Sequence, residues 1–459
     1  MLKKWLVRVI LIIYVLFSIG FIIVNYPVLD IYDIIGTIIS LVCVFGITKI
    51  KRINNKIFVI VLLVGLLLRL ALCFFPYQEP INDYAYFYSD AINFANKSQL
   101  RNLYIALFSY LYFYVSTLGL MMRIFGKVYT TVIVLNIVIE ALGGYLFYLI
   151  SRNRYGDNTG RIALLFYAIN PVSLLWINKC CPVIIVNTLL LLIIYIYDIV
   201  NKDFNKKNIF LALLLGLVMS IANHYRPIII IFVITIVLMC IMKIITEKKD
   251  WLKHITILLC ILIPYTIFNC TFDKIISSQI QYKLPESRAG WSIYVGANNK
   301  HNGRWDQDDS EHFMSLANKF GPAKAQKMVQ KEGILRYKSL GIKSLILFMA
   351  KSVVLGGGLP NYTYTETVLF IDYKISKPIE AITRSYIYSY IFVILFLNLL
   401  TAVKSYREKK FRDDNLMLYI FIIGLFSSML LVEVSERYYL PIFTIIMISS
   451  ISYFKGIEN

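Results

Sequence analysis

Charged residues are scarce in this sequence: they make up 16% of its 459 residues, whereas 58% are hydrophobic. Soluble domains carry about 25% charged residues, so the composition excludes an ordinary soluble protein. The sequence has neither GxGxxG nor a GxxxxGK motif followed by Ser or Thr. It therefore offers no sequence signal for a nucleotide-binding domain.

Cysteine is also sparse. The seven cysteines form no CxxC pair and no metal-ligand spacing. Most of them lie inside apolar runs, where cysteine usually acts as a small apolar residue. The adjacent Cys180 and Cys181 leave a structural disulfide open without indicating one.

Apolar runs of about 20 residues recur along the chain, and each is long enough to cross about 30 Å of hydrocarbon. They predict an all-α polytopic membrane protein, a bundle of about twelve transmembrane helices. The first run follows Lys3, Lys4 and Arg8 and has no cleavage site, so it is expected to remain as a span. The predicted spans are 5–24, 31–48, 57–75, 128–150, 162–178, 182–200, 208–222, 227–246, 254–270, 385–403, 415–433 and 439–455.

The net charge of +20 comes from Lys and Arg in short loops between these runs. Such loops stay in the cytoplasm. The positive net charge is therefore better explained by membrane orientation than by nucleic-acid binding. Five clusters place both termini inside. They are Lys49–Lys56, Arg152–Arg161, Lys202–Lys207, Lys243–Lys253 and Lys404–Arg412.

Two polar regions then face outside, at about 76–102 and 271–384, and no sizeable cytoplasmic domain remains. Residues 103–122 and 345–355 are apolar enough to span, but spanning would invert the basic loops. Both are therefore predicted to lie at the outer interface. The tyrosines of residues 103–122 are typical of a helix in that position. The predicted units are 1–75, 76–127, 128–270, 271–384 and 385–459.

The first outer loop carries two acids, Asp83 and Asp90, among aromatic residues. A carboxylate at the outer end of a span suits general-base chemistry. Seven residues apart, the two would share one face of a helix, which makes Asp90 a candidate second acid. The alternative is that either one is a solvated loop acid or a helix cap.

Two arginines lie at the same predicted level, Arg226 after His224 and Arg437 before Tyr438. A guanidinium matches phosphate oxygens, so both are candidate phosphate ligands. The alternatives are an Arg226 that reaches lipid headgroups and an Arg437 paired with Glu433 or Glu436. His224 and Tyr438 are candidate substrate contacts, although a lone surface histidine is more often without a role.

The large outer loop combines aromatic and amide side chains that suit a sugar's apolar faces and hydroxyl rims. The candidates are Trp291, Asn298, Asn299 and Trp305. The acids from Asp306 to Asp309 are candidate ligands of a divalent cation, because oxygen ligands suit such ions. An ordered turn with a helix cap explains the same stretch without any ligand.

Several short motifs follow one another along the chain. They are Pro80…Asp83…Tyr88…Ala91, Phe125-Gly126 with Leu135-Asn136, Ala168-Ile169-Asn170-Pro171, Arg226-Pro227, Gly296-Ala297-Asn298-Asn299 with Gly303-Arg304-Trp305, and Arg437-Tyr438 with Pro441. In this order they resemble membrane glycosyltransferases with the GT-C fold, of the family-39 protein O-mannosyltransferase and aminoarabinose-transferase type.

The sequence departs from that family in three places, one of which is an extra apolar hairpin at the start of the chain. Tyr84 follows Asp83 where the mannosyltransferase branch has an Asp-Glu pair, and Cys180-Cys181-Pro182-Val183 carries no acid where many relatives have one. The roles of the acid pair and the identity of the substrate are therefore not carried over.

The resemblance implies a hexosyl- or pentosyltransferase that uses a polyprenyl-phosphate sugar on the outer face of the cell membrane. Asp83 would take the proton of an acceptor hydroxyl, with inversion, while Arg226 and Arg437 bind the leaving phosphate. The acceptor would be a bacterial cell-surface glycan, lipid or protein. The metal requirement stays open.

Two other classes remain. A polysaccharide polymerase or ligase also handles lipid-linked glycans, and it would carry paired arginines in its outer loops. A transporter or flippase would need polar residues at the membrane midplane, for which Arg69 and Glu140 are the few candidates.

Overall fold

The computed structural model describes residues 2–24, 38–39, 42, 46, 52–74, 80–97, 100, 103–202, 205–246, 251–280, 282–358, 363, 377–408 and 413–455. Regular structure within these ranges is helical throughout, which confirms the predicted all-helical class. The helices are α1 (Leu2–Val24), α2 (Asn55–Ala71), α3 (Asn82–Lys97), α4 (Leu103–Leu107), α5 (Leu111–Phe125), α6 (Tyr129–Tyr155), α7 (Asp157–Ala168), α8 (Pro171–Trp176), α9 (Val183–Val200), α10 (Lys206–Tyr225), α11 (Ile229–Thr246), α12 (Trp251–Ile280), α13 (Gly290–Gly296), α14 (Gln307–Phe320), α15 (Pro322–Leu340), α16 (Ser344–Gly357), α17 (Lys377–Glu408), α18 (Asp413–Leu431) and α19 (Tyr439–Ile451).

Seven helical stretches in the described ranges are long and apolar enough to cross a membrane. They support a multi-pass membrane protein, whereas the predicted count of about twelve stays a prediction. Shorter apolar helices at Leu111–Phe125, Ile229–Ile245 and Asn415–Leu431 accompany them. The predicted span 31–48 lies mostly outside the described residues.

One predicted span is wrong as a single helix. The stretch 162–178 is divided between α7 and α8, because Asn170 begins a new helix and Pro171 occupies its first turn. The Asn170 side chain accepts a hydrogen bond from the Val172 backbone N–H, a typical N-cap. Proline has no N–H to continue the preceding helix, so the chain breaks there.

The predicted interfacial helix at 103–122 is also two helices, α4 and α5, separated by a turn. Its tyrosines do not simply line an interface, since Tyr112 and Tyr114 are buried. Gly119 of α5 lies directly against Ala91 and Phe94 of α3, where a Cβ atom would have no room. The close approach of α5 fixes α3, which begins at the site described below.

The large outer loop folds into α13, α14 and α15 around a small apolar core of its own. Trp291 stacks on Phe313 with 5.0 Å between the ring centroids. Gln326 of α15 donates to the Leu107 carbonyl at 3.1 Å, which joins this unit to α4. Gly296 packs against the backbone of Val432 at the end of α18, so the unit also contacts the C-terminal helices.

The Gly356–Gly358 run is tightly packed. Gly357 lies against the backbone of Val24, and Gly358 lies against the side chain of Glu436. Side chains at these two positions would push α16 away from α1 and from the turn before α19.

Buried ion pairs join the membrane helices. Arg69 of α2 and Glu140 of α6 contact each other at 2.5 Å, and Arg154 of α6 contacts Asp198 of α9 at 2.6 Å. Charges inside a membrane bundle are stable when they pair in this way.

Candidate active site

The site begins at the first turn of α3, where Asp83 meets a residue from the other end of the chain. One Asp83 oxygen accepts a hydrogen bond from Arg437 at 2.9 Å, and the other accepts one from the Tyr104 hydroxyl at 3.2 Å. The Asp83 side chain keeps 37% of its surface exposed. The Asp83 carboxyl therefore has a guanidinium partner and is still partly open at this end of the bundle.

Asp90 lies two turns further along the same helix, so the predicted helix with both acids is confirmed. It retains only 7% of its surface. Of the two acids, Asp83 is thus the one that a dissolved or lipid-borne substrate can reach.

Arg226 follows the last residue of α10 and lies on the ring of Tyr438. Its guanidinium carbon is 4.4 Å from the ring centroid, and that of Arg437 is 5.6 Å from the same ring. Burial lowers the pKa of Arg226, and the charge of Arg437 lowers it further, whereas Tyr438 opposes both effects. Two neighbouring cations in a partly desolvated position favour an anion between them.

Arg437, for which an ion pair with Glu433 or Glu436 was the alternative to a phosphate ligand, binds Asp83. Glu436 is bound by Arg304 of the large outer loop. Glu433 nevertheless lies within the electrostatic reach of Arg437 and of Asp83. Arg437 therefore lies among acids from two parts of the chain.

Glu433 is the acid that the sequence pattern did not single out as a site residue. Burial raises the pKa of Glu433 above its ordinary value, against the lowering effects of Arg437, Tyr438 and Trp291. The sequence did contain a signal for Glu433, because an acid at the end of an apolar run usually has an ion-pair partner or a function.

His224 is not at the surface, so its prediction as an exposed outer residue is wrong. The ring is fully buried, with Nδ1 2.9 Å from the Ser220 carbonyl and Nε2 3.1 Å from Asp273. Arg288 also binds Asp273. This group joins α10 and α12 to the chain that enters the outer loop.

The candidates of the large outer loop divide into two groups. Asn298 bonds Asp309 at 2.9 Å and accepts from the Lys300 backbone, which is a turn-forming role. Asn299 is exposed, and Trp305 keeps 55% of its surface in the open. Trp291, by contrast, is buried, and its ring stacks on Phe313.

The acid cluster of this loop has structural roles. Asp306 caps α14 by accepting from the Asp309 backbone, and Asp309 receives two hydrogen bonds from Arg336. In the ranges that the structure describes, no group of three or more His, Cys, Asp or Glu residues is arranged to hold a metal ion. The possible disulfide is absent, since Cys180 and Cys181 are both free.

Two buried lysines were also missed. Lys351 of α16 contacts the Gly296 carbonyl at 3.0 Å and the Tyr337 hydroxyl at 3.3 Å, and its charge is felt by Glu433. Lys179 lies next to Cys181, whose thiol also senses Arg226 and Arg437. A lysine inside an apolar run, as at Lys351, is the signal that could have found it.

These features define a helical, multi-span membrane protein with an acid and paired guanidinium groups at one end of its bundle. Residues 97–268 match the family described as "Dolichyl-phosphate-mannose-protein mannosyltransferase". The resemblance to membrane glycosyltransferases of the family-39 type is thereby confirmed for this part of the chain.

Two solved structures are similar in overall chain path. ArnT from Cupriavidus metallidurans, bound to undecaprenyl phosphate, is 11% identical, with a TM-score of 0.37 over 87% of this chain and 78% of that one. The archaeal oligosaccharyltransferase AglB from Archaeoglobus fulgidus, in complex with an inhibitory peptide and a dolichol-phosphate, is 12% identical. Its TM-score is 0.43, and the match covers 86% of this chain but only 50% of AglB. No curated protein matches the chain.

Proposed function

We propose that this protein is an inverting glycosyltransferase that moves a sugar from a polyprenyl-phosphate donor to a cell-surface acceptor on the outer face of the membrane. The observation that carries the proposal is the contact of Asp83 with Arg437, beside an Arg226 that shares the ring of Tyr438. A base and two phosphate-binding cations are the groups that this reaction needs. The family description, which includes a dolichyl-phosphate sugar, supports the donor class.

Asp83 is the proposed base. The acceptor oxygen attacks the anomeric carbon while its proton passes to a carboxylate oxygen of Asp83. The bond between the anomeric carbon and the phosphate oxygen breaks, and its electron pair stays on the phosphate. A positioned base contributes roughly 10²–10⁴-fold to such a step.

Arg437 and Arg226 are the proposed ligands of the departing phosphate. Their charges are fixed before the reaction, so they stabilise the developing dianion without reorganisation. Arg437 also holds one oxygen of Asp83. A bound phosphate would draw Arg437 toward itself and leave that oxygen free to accept the proton.

The outer unit of α13–α15 is the proposed acceptor side. Trp305 and Asn299 are exposed there and are free to contact an incoming glycan, lipid or protein. Tyr438 acts through its ring, as the surface on which both guanidinium groups rest. The termini lie in the cytoplasm in this arrangement. Of the units predicted from the sequence, 76–127 contains Asp83, 271–384 contains α13–α15, and 385–459 contains Arg437.

A ligase or polymerase of lipid-linked glycans is the second candidate, because Arg226 and Arg437 form the arginine pair expected of it. It would use the same phosphate site with an oligosaccharide donor. Transport has less support, since Arg69 and Glu140 bind each other.

The test is sugar transfer by purified protein in liposomes, with a panel of polyprenyl-phosphate hexoses, pentoses and oligosaccharides. Asp83→Asn should lower the rate by roughly 10²–10⁴-fold if Asp83 is the base. Asp157→Asn is the matched control, because Asp157 also occupies the first turn of a helix but is an exposed partner of Arg161. Unchanged transfer by Asp83→Asn would refute the base, and turnover only with oligosaccharide donors would favour the ligase.

A further inference from the structure

Tyr86 has no part in the reaction described above, yet it lies beside the proposed base. It follows Asp83 by three residues in α3, so the two side chains share one face of the helix. The Tyr86 ring stacks on Tyr104 of α4, with 5.0 Å between the ring centroids and 18° between the ring planes. The Tyr104 hydroxyl in turn donates to Asp83 at 3.2 Å. The Tyr86–Tyr104 stack is therefore attached to the base.

The Tyr86–Tyr104 stack is open on one side. Tyr104 is half-buried, and its ring centroid lies 5.0 Å from that of Phe108. Tyr86, the outer ring of the stack, keeps 55% of its surface exposed. Because Tyr104 covers one face of the Tyr86 ring, the side of Tyr86 away from Tyr104 is available to a ligand.

Further aromatic rings join the stack to the outer unit of α13–α15. The ring of Phe108 lies 6.2 Å from that of Phe313 in α14, and Phe313 stacks on Trp291 of α13. Contacts from α3, α4 and the outer unit thus hold the stack in place. A surface that is fixed before binding costs little to order when a ligand arrives.

The stack and the arginines contact different oxygens of Asp83. Arg437 binds one oxygen, and Tyr104 binds the other. In an inverting transfer, the acceptor hydroxyl and the departing phosphate lie on opposite sides of the anomeric carbon, and the base lies near the hydroxyl. With the phosphate at Arg437 and Arg226, the acceptor therefore approaches from the side of the Tyr86–Tyr104 stack.

The chemistry of the stack favours a sugar. A pyranose ring has a face of C–H groups that packs on an aromatic ring, and its hydroxyl groups project from the rim. A sugar that lies on Tyr86 would bring one hydroxyl close to Asp83, because the two side chains are about one helical turn apart. A tyrosine that only anchored α3 at the membrane interface would need neither a second ring nor a link to the base.

We propose that Tyr86 is the platform for the acceptor, and that the acceptor is a sugar whose ring lies on Tyr86 and whose hydroxyl faces Asp83. The inference rests on the proposed function and narrows its acceptor from a glycan, lipid or protein to a sugar residue. The hydroxyl gives its proton to Asp83 while its oxygen bonds the anomeric carbon, and the phosphate leaves with the electron pair. Tyr104 is a positioning residue, since it supports the Tyr86 ring and binds the base.

The first measurement is acceptor binding without donor, by fluorescence of the purified full chain in liposomes. Tyr86→Trp keeps an aromatic platform and reports on its occupancy, while wild type gives the signal of the five native tryptophans. Tyr145→Trp is the matched control, because Tyr145 is also 55% exposed and stacks on Tyr148 within α6. The probes are methyl glycosides of hexoses, N-acetylhexosamines and pentoses, and a peptide that contains Ser and Thr.

A saturable change with a methyl glycoside should occur in Tyr86→Trp and not in Tyr145→Trp. No change with any glycoside would overturn the inference, and so would a change with the peptide alone, which would make a protein the acceptor. Because this measurement needs no turnover, it is separate from the test of the proposed function. Glycoside binding at Tyr86 without any sugar transfer would refute the proposed function and leave the platform standing.

The second measurement is transfer to the glycoside that binds, at varied donor and acceptor concentrations. Tyr86→Ala should raise the KM for the acceptor roughly tenfold, with kcat and the KM for the donor unchanged. Tyr86→Phe keeps the ring and should retain the wild-type KM for the acceptor, as should Tyr145→Ala. A fall in kcat with an unchanged acceptor KM in Tyr86→Ala would mean that Tyr86 only supports Asp83, which would overturn the inference.

Discussion

Arg437 is the central residue of the candidate site, because it contacts a carboxylate 354 positions away in the chain. Its guanidinium also lies over the ring of Tyr438, which it shares with Arg226. A planar guanidinium suits this double role, since it stacks on a ring and still presents N–H groups at its edge. Lysine has one compact charge and cannot do both.

Arg226→Lys tests this difference. The variant keeps the charge but loses the stacking over Tyr438 and the two-pronged contact with phosphate. Cation–π contacts of partly desolvated groups are worth about 1–2 kcal/mol, so we expect donor affinity to fall by roughly tenfold. Initial rates at varied donor concentration measure it.

Two other variants set the reference for Arg226→Lys. Tyr438→Phe keeps the ring and should preserve the stacking, whereas Arg152→Lys changes an arginine that is half exposed and bound to Asp157. An unchanged KM for the donor in Arg226→Lys would mean that the guanidinium does not contact the phosphate.

The sequence could predict Asp83, Arg226 and Arg437 as candidates, because each lies next to the outer end of an apolar run. It could not predict which of them touch, since chain spacing says nothing about contacts over 354 positions. Glu433 lies at the end of an apolar run but was missed as a site residue, and its backbone contact with Ser292 is again one that chain spacing does not show.

At the scale of elements, some apolar runs correspond to single helices and others are divided into two. The runs at 182–200 and 208–222 correspond to α9 and α10. The division between α4 and α5 falls at Phe108-Ser109-Tyr110, which contains neither glycine nor proline to mark a turn. By contrast, the break between α7 and α8 is marked in the sequence by Pro171.

Asp309 and Arg336 form an ion pair within the outer unit. Asp309 is 4% exposed and receives bonds of 2.9 and 2.7 Å from Arg336. Burial raises the pKa of Asp309, but the hydrogen bonds from Arg336 and Asn298 outweigh it, so the net pKa lies below the ordinary 3.8. A lowered folded-state pKa gives stability that is present above about pH 4 and lost as the pH falls through the lowered value.

Arg336→Met should therefore destabilise the α13–α15 unit at neutral pH. The buried Asp309 would lose its cation, and because Arg336 is about one-third exposed, we expect a cost of about 1–3 kcal/mol. The loss should shrink in acid, as Asp309 becomes protonated. Hydrogen exchange of α14 and α15, measured at pH 7 and pH 3 in detergent, checks both parts.

Lys338→Met serves as the control, because Lys338 lies on the same helix and carries the same charge. It should leave the exchange of both helices unchanged. Equal protection in Arg336→Met and wild type at pH 7 would show that the pair does not hold this unit together.

At the scale of the whole molecule, the basic loops meet at one end of the bundle. Tyr155 bonds Asn415 at 2.6 Å, and Lys243 bonds Asn201 at 3.3 Å, so loops from distant parts of the chain contact one another there. α10 runs from Lys206 at this end to Tyr225 beside the site. Its 20 residues span about 30 Å, which is the thickness of the hydrocarbon core.

This arrangement predicts the orientation of the protein in the cell. Lys207 and Asn299 are both exposed, and the positive-inside rule predicts that the basic loops face the cytoplasm. Asn299→Cys should react with a membrane-impermeant maleimide in intact cells, and Lys207→Cys should react only after permeabilisation. Wild type sets the background, because Cys270 is exposed, whereas Cys180, Cys181 and Cys240 are buried. The reverse pattern would place Asp83 and Arg437 on the cytoplasmic side, where a cell-surface acceptor cannot reach them. That result would refute the proposed transfer on the outer face.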